Sequence, residues 1–78
     1  MDLKLYADVI LLQDIPAEGL VAGDIGTVVE RHDVQGLEPG YSVEFFDLLG
    51  NTLAVVTVPA SLLRAPVLGD RPVVRPAA

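Results

Sequence analysis

The stretch Leu20-Val21-Ala22-Gly23-Asp24-Ile25-Gly26-Thr27-Val28-Val29-Glu30 constrains the fold of this chain more than any other. Two glycines three positions apart bracket Asp24-Ile25 and open directly onto a β-branched run. Gly23 can take the positive φ that closes a loop, and Gly26 suits a bulge or a close approach of two backbones. Thr27, Val28 and Val29 favour a pleated, half-buried surface over a helix, where their χ1 freedom would be lost. The stretch is therefore a loop that hands the backbone to a strand.

The flanking sequence extends this pattern. Leu3, Leu5, Ala7 and Val9 alternate with Lys4, Tyr6 and Asp8 before the run becomes continuously apolar, which predicts a first strand over about Tyr6–Leu12. Gln13 to Leu20 contains Pro16 and Gly19 and reads as a structured excursion, with Ile15 and Leu20 tucked beneath it. A second strand is expected over Asp24–Arg31, and a turn-rich loop over His32–Gly40. Tyr41–Phe46 alternates, with Tyr41, Val43 and Phe45 on one face and Ser42, Glu44 and Phe46 on the other. Asp47–Asn51 then forms a hairpin connection with Gly50 at positive φ, and Thr52–Val58 supplies a fourth strand that Pro59 ends. One helical turn at Ala60–Leu63 precedes a short fifth strand over Leu63–Val67. The prolines beyond Val67 predict a disordered tail.

Five short strands with no helical period define an all-β chain, a small five-stranded SH3-like antiparallel barrel spanning residues 1–67 with a flexible Pro-rich tail over 68–78. Its expected core is Val9, Leu11, Ile25, Val28, Val43, Phe45, Leu53, Val55 and Leu62. With 78 residues, such a barrel buries only about 60% of the surface its unfolded chain exposes. Cysteine is absent, so neither disulfides nor thiolate metal sites reinforce it. The hydrophobic fraction of 51% and mean hydropathy of +0.49 are high for so small a chain, and point to apolar surface that faces a partner.

Charge is unevenly placed. From Leu5 to Leu63 nine acids stand against Arg31 alone, a net −8, within a chain whose formal charge is −6. No cationic n-region followed by a long apolar run marks a signal peptide, and nothing approaches the roughly 20 apolar residues of a membrane span, so cytoplasmic residence is the expectation.

Candidate chemistry is sparse. His32 is the only imidazole and so the only histidine base, and it lies beside Asp33 at a strand-to-loop transition, away in sequence from Ser42 and Ser61. A solvated loop histidine explains it better than catalysis, and no enzyme activity is expected. Glu30, Asp33 and Glu38 form the one loose acidic cluster, short of the convergent oxygen ligands of a calcium loop. Gly19, Gly23 and Gly26 match neither GxGxxG nor a P-loop. No cofactor or metal is expected.

The residues also carry a resemblance. Leu11–Pro16, Gly19–Val29, Tyr41–Phe45 and Leu53–Val58 resemble the short bacterial and archaeal family known as domain of unknown function 4926, over roughly Tyr6–Ala65. This implies a small barrel, among relatives that look like companions of neighbouring toxin-like proteins. More distantly, Gly23-Asp24-Ile25-Gly26-Thr27-Val28 resembles the strand entrance of KOW-type barrels and of the SH3-like domain of the nitrile hydratase β-subunit.

Two functions follow as expectations. The first is a small acidic protein-interaction module, an antitoxin-like or accessory partner that covers a basic surface on another protein. Its expected contact residues are Glu30 and Glu44, outward on neighbouring strands, with Phe46, Asp47, Leu48 and Leu49 at the hairpin. The same apolar tip could pair two copies in a homodimer. The alternative is a KOW-like domain associated with RNA or with the translation or transcription machinery. The acidic body and the scarcity of aromatics, two Tyr and two Phe, disfavour direct nucleic-acid binding.

Overall fold

In the computed structural model, which describes residues 3–76, five strands form one antiparallel sheet: β1 (Asp8–Leu11), β2 (Ile25–His32), β3 (Gly40–Phe46), β4 (Thr52–Pro59) and β5 (Leu63–Arg64). The spatial order is β4-β3-β2-β1-β5. β4 and β5 are thus the two outer strands, yet only the 3-10 turn Ala60–Leu62 separates them in the chain. A flat sheet would set them four spacings, about 19 Å, apart, whereas the chain from Pro59 to Leu63 reaches at most about 14 Å. The sheet must therefore curl, giving the bent SH3-like architecture expected from the sequence.

The Gly23–Gly26 stretch does what its composition suggests. Gly23 takes φ +96 and donates its N–H to the Leu11 carbonyl at 2.7 Å. Gly26 lies in extended backbone opposite Phe45 of β3, in the close approach that only a residue without a Cβ permits. The pairing register slips between Val28 and Glu30, so the bulge falls at Val29 and not at either glycine. Before β2, Pro16–Glu18 forms a 3-10 turn closed by Gly19 at φ 69. An isolated bridge joins Ile15 to Leu20, with Leu20 buried and Ile15 packed against the core.

Strand ends differ from expectation where backbone geometry intervenes. β1 begins at Asp8 because Tyr6 sits at φ 64, with the Ala7 N–H closing a turn onto the Lys4 carbonyl. β2 runs one residue later than expected at each end. β5 stops at Arg64, since Pro66 has no N–H to donate to a ladder. Among the described residues, the segment after it contains a turn at 68–69 but no further strand or helix.

Tyr41, Val43 and Phe45 are fully buried together with Val9, Leu11, Leu20, Val28 and Leu63, so the face assignment of β3 is as expected. For β4 it is not. Leu53 (58% exposed) and Val55 (57%) face outward, and Ile25 is also exposed. Leu62 is only partly buried. A register slip between Phe45 and Phe46 leaves Leu53 unpaired and sets Ala54 across from Phe45, Val56 across from Val43 and Val58 across from Tyr41. Because side chains alternate with period two, that slip turns Ala54, Val56 and Val58 to the core and Leu53, Val55 and Thr57 out, while Thr52, before the slip, stays exposed across from Phe46.

Candidate interaction face

The outer face of β2, β3 and β4 carries the features that distinguish this barrel. Cross-strand pairing aligns Asp8, Thr27, Glu44 and Val55 in one row across four strands. A second row aligns Glu30, Ser42 and Thr57. Glu30 and Glu44 thus stand outward on neighbouring strands, as expected. Glu44 accepts a hydrogen bond from the Thr52 hydroxyl, and the Glu30 side chain is 66% exposed. Neither row contains a lysine or an arginine.

Apolar side chains border these acids. Phe46 is partly exposed, while Leu48 (84%) and Leu49 (89%) project from the β3–β4 turn. They do not fold back over the barrel end. Leu53 and Val55 continue the apolar surface along β4, and the sequence alternation missed them because it assigned both to the core.

Asp47 serves the turn. One carboxylate oxygen accepts the backbone N–H groups of Leu49 and Asn51, and the other accepts the Asn51 side-chain amide, at 2.9 to 3.0 Å. The Asn51 side chain, followed by its backbone N–H, holds the Asp47 carboxyl below the usual carboxylate range. Gly50 at φ +85 completes the hairpin. Asp47 therefore shapes the tip on which Leu48 and Leu49 are displayed.

Ser42 and His32, separated in sequence, meet on the sheet. His32 Nε2 lies 2.8 Å from Ser42 Oγ, which lies 2.8 Å from Thr57 Oγ1. Glu30 Oε1 approaches the same imidazole nitrogen at 3.7 Å. A nucleophile–base–acid triad needs the acid on the opposite ring nitrogen, where it fixes the tautomer, and Ser42 is buried. The arrangement ties β2, β3 and β4 together as a hydrogen-bonded chain. Only the mutual register of three strands could have revealed it.

The loose acidic cluster disperses. Asp33 pairs with Arg31 at 2.9 Å, and Glu38 accepts the Ser61 N–H and hydroxyl at 2.7 and 3.1 Å, stitching the β2–β3 loop to the Ala60–Leu62 turn. Among the described residues no group of three or more His, Asp or Glu side chains is placed to hold a metal ion, and no helix is long and apolar enough to cross a membrane.

On the opposite flank, the C-terminal segment lies beside β1 and the β1–β2 loop. Arg64 forms two hydrogen bonds with Asp70, at 2.8 and 2.9 Å. Arg75 Nη2 lies 2.7 Å from both Asp24 carboxylate oxygens. Between this segment and the body is an open cavity of about 430 Å³, whose lining includes Ile10, Ile25 and Val73.

Fold and face together define a small all-β protein with an SH3-like, five-stranded antiparallel sheet and an acidic, apolar-bordered outer surface. The model of the family described as Domain of unknown function (DUF4926) matches residues 5–65, and the chain belongs to that family. No curated protein and no solved structure gives a significant match to it.

Proposed function

We propose that this protein is an acidic interaction module, an accessory or antitoxin-like companion that engages a protein partner with a basic surface. The outer face of β2–β4 and the β3–β4 tip make the contact. One observation carries this reading: exposed Phe46, Leu48, Leu49, Leu53 and Val55 share the outer face and tip of β3–β4 with Glu44, Glu30 stands in the next row on β2, and the two rows contain no lysine or arginine. Exposed apolar patches rimmed by polar groups mark interaction sites, and charge of one sign steers partners of the other.

The test places a photo-crosslinking side chain at Leu49 and captures partners from the native cytoplasm in about 0.1 M and about 1 M salt, where the Debye length falls from about 10 to about 3 Å. A protein captured at low salt, weakened at high salt and lost on Glu30→Lys/Glu44→Lys substitution is the expected result. Recovery only of nucleic acid, or of nothing above background, refutes the reading.

A further inference from the structure

The two edges of the sheet differ in a way that the outer face alone does not explain. β5 has 2 residues and is followed at once by Ala65-Pro66, which blunts it as a pairing template. β4 has 8 residues and pairs only with β3. Before its last residue, Pro59, neither a charge nor a proline protects this edge. Thr52–Val58 contains no charge and no proline, and its bulge lies at the hairpin end, at Leu53. Thr52, Leu53, Val55 and Thr57 are all exposed. A long, uncharged, β-branched edge is a ready template for another strand.

The adjoining residues state what that strand should carry. Glu44 lies directly across from Val55, one strand in from the edge, and Glu30 lies across from Ser42, which in turn faces Thr57. A strand added beyond β4 would stand about 9.6 Å from β3, two spacings away. Lys or Arg stems on its outer-face positions could cross Val55 and Thr57, bury their methylenes on those side chains and bring their charges to Glu44, with Glu30, one strand further in, adding only longer-range attraction. Its intervening side chains would turn toward the barrel interior side of β4, where Ala54 and Val56 pack.

We infer that β4 is an acceptor for β-strand addition, and that its occupant is an extended segment of a partner protein alternating Lys or Arg with β-branched residues. The inference rests on the proposed acidic interaction face and names how a partner would dock there. A second copy of this chain fits less well, because β4 pairing with itself supplies no cation to either Glu44.

The probes are synthetic peptides as long as β4, alternating Lys with Val or Thr, in three forms: unmodified, N-methylated at alternate backbone nitrogens, and with Glu replacing Lys. The full chain is titrated with each while hydrogen exchange of the β4 amides is followed. The unmodified peptide should bind and slow exchange of outward-facing β4 amides. N-methylation or Glu replacement should weaken binding by about tenfold or more, as expected for the loss of a few ladder or charge-assisted bonds. Leu53→Lys, an exposed gatekeeper change that leaves the core intact, should weaken it similarly.

Equal binding of the methylated and unmodified peptides, or binding without β4 protection, would overturn strand addition. If the photo-crosslinked partner still required Glu30 and Glu44, the acidic face would stand without it. Protection of β4 that rises with protein concentration alone, together with a dimer in sedimentation, would show instead that a second copy fills the edge. Failure of both this titration and the cross-linking would remove the acidic-face reading itself.

Discussion

Gly26 of β2 lies directly across from Phe45 of β3, and a Cβ placed on it would stand 2.5 Å from Val43 Cγ1, 2.9 Å from the Glu44 carbonyl oxygen and 3.0 Å from the Phe45 ring. Two of these neighbours are core side chains and the third is backbone, so none can move aside freely. Gly26→Ala should destabilise the fold by about 1–3 kcal/mol, the usual cost of overpacking, and Gly26→Val by more. Gly23→Ala meets open space and should show only the strain of positive φ, about 1–2 kcal/mol. Urea unfolding of the three variants checks this, and a Gly26→Ala protein as stable as wild type would contradict it.

Phe45 and Phe46 are neighbours with opposite environments, 1% and 39% exposed. Phe45→Ala should cost about 3–5 kcal/mol and Phe46→Ala under about 1 kcal/mol. Equal losses would mean that the β3 faces are not separated as the ladder shows.

Tyr41 is a fully buried aromatic whose hydroxyl accepts two hydrogen bonds, from the Leu3 N–H at 3.1 Å and from Arg31 Nη1 at 2.8 Å. Tyr41→Phe keeps the ring but strips both donors of that acceptor. A loss of about 1–3 kcal/mol is expected, together with faster exchange of the Leu3 amide. Unchanged stability and exchange would show that water replaces the hydroxyl without cost.

These residues also show what the sequence revealed and what it withheld. Period-two alternation identified the buried side of β3, and the glycine spacing located the close approach at β2, because both are local properties of the chain. The faces of β4 were not local. They depend on a register slip beside Phe46, and an uninterrupted β-branched run such as Val55-Val56-Thr57-Val58 offers no alternation to fix the phase. Of the expected contact residues, Glu44 and Phe46 could be placed on one surface from strand parity, whereas Glu30 shares the parity of buried Val28 and faces outward only because of the bulge at Val29. Leu53 and Val55 were hidden by the same slip, and the meeting of His32 with Ser42 and Thr57 required three strands in register.

Leu48 and Leu49 are among the most exposed side chains of the chain, yet Asp47, Gly50 and Asn51 supply the bonds that form their turn. Leu48→Asp and Leu49→Asp should therefore leave unfolding midpoints nearly unchanged, within about 0.5 kcal/mol, as is usual for exposed positions. Parallel denaturation curves check this. A marked loss of stability would place the leucines in the core and remove them from the contact surface.

The Arg64–Asp70 pair gives the C-terminal segment a defined response to acid. The Arg64 guanidinium, hydrogen-bonded to the carboxylate, holds Asp70 down at about 2, helped by the Val67 N–H, which donates to the same carboxylate at 2.6 Å. An unfolded chain would protonate Asp70 near the ordinary value of about 3.9. The folded pKa is the lower of the two, so the pair's contribution is fully present above about pH 4 and is lost as pH falls through about 2. Both groups are solvent-exposed, so salt should weaken the effect. Carboxyl carbon NMR should find the Asp70 midpoint at about 2, and Arg64→Gln should return it toward the ordinary range while leaving the barrel folded. The same substitution should speed exchange of the Val67 amide, because the carboxylate that anchors it loses its partner. An Asp70 midpoint near 4 in the unaltered protein would show that the segment beyond β5 does not keep this contact in solution.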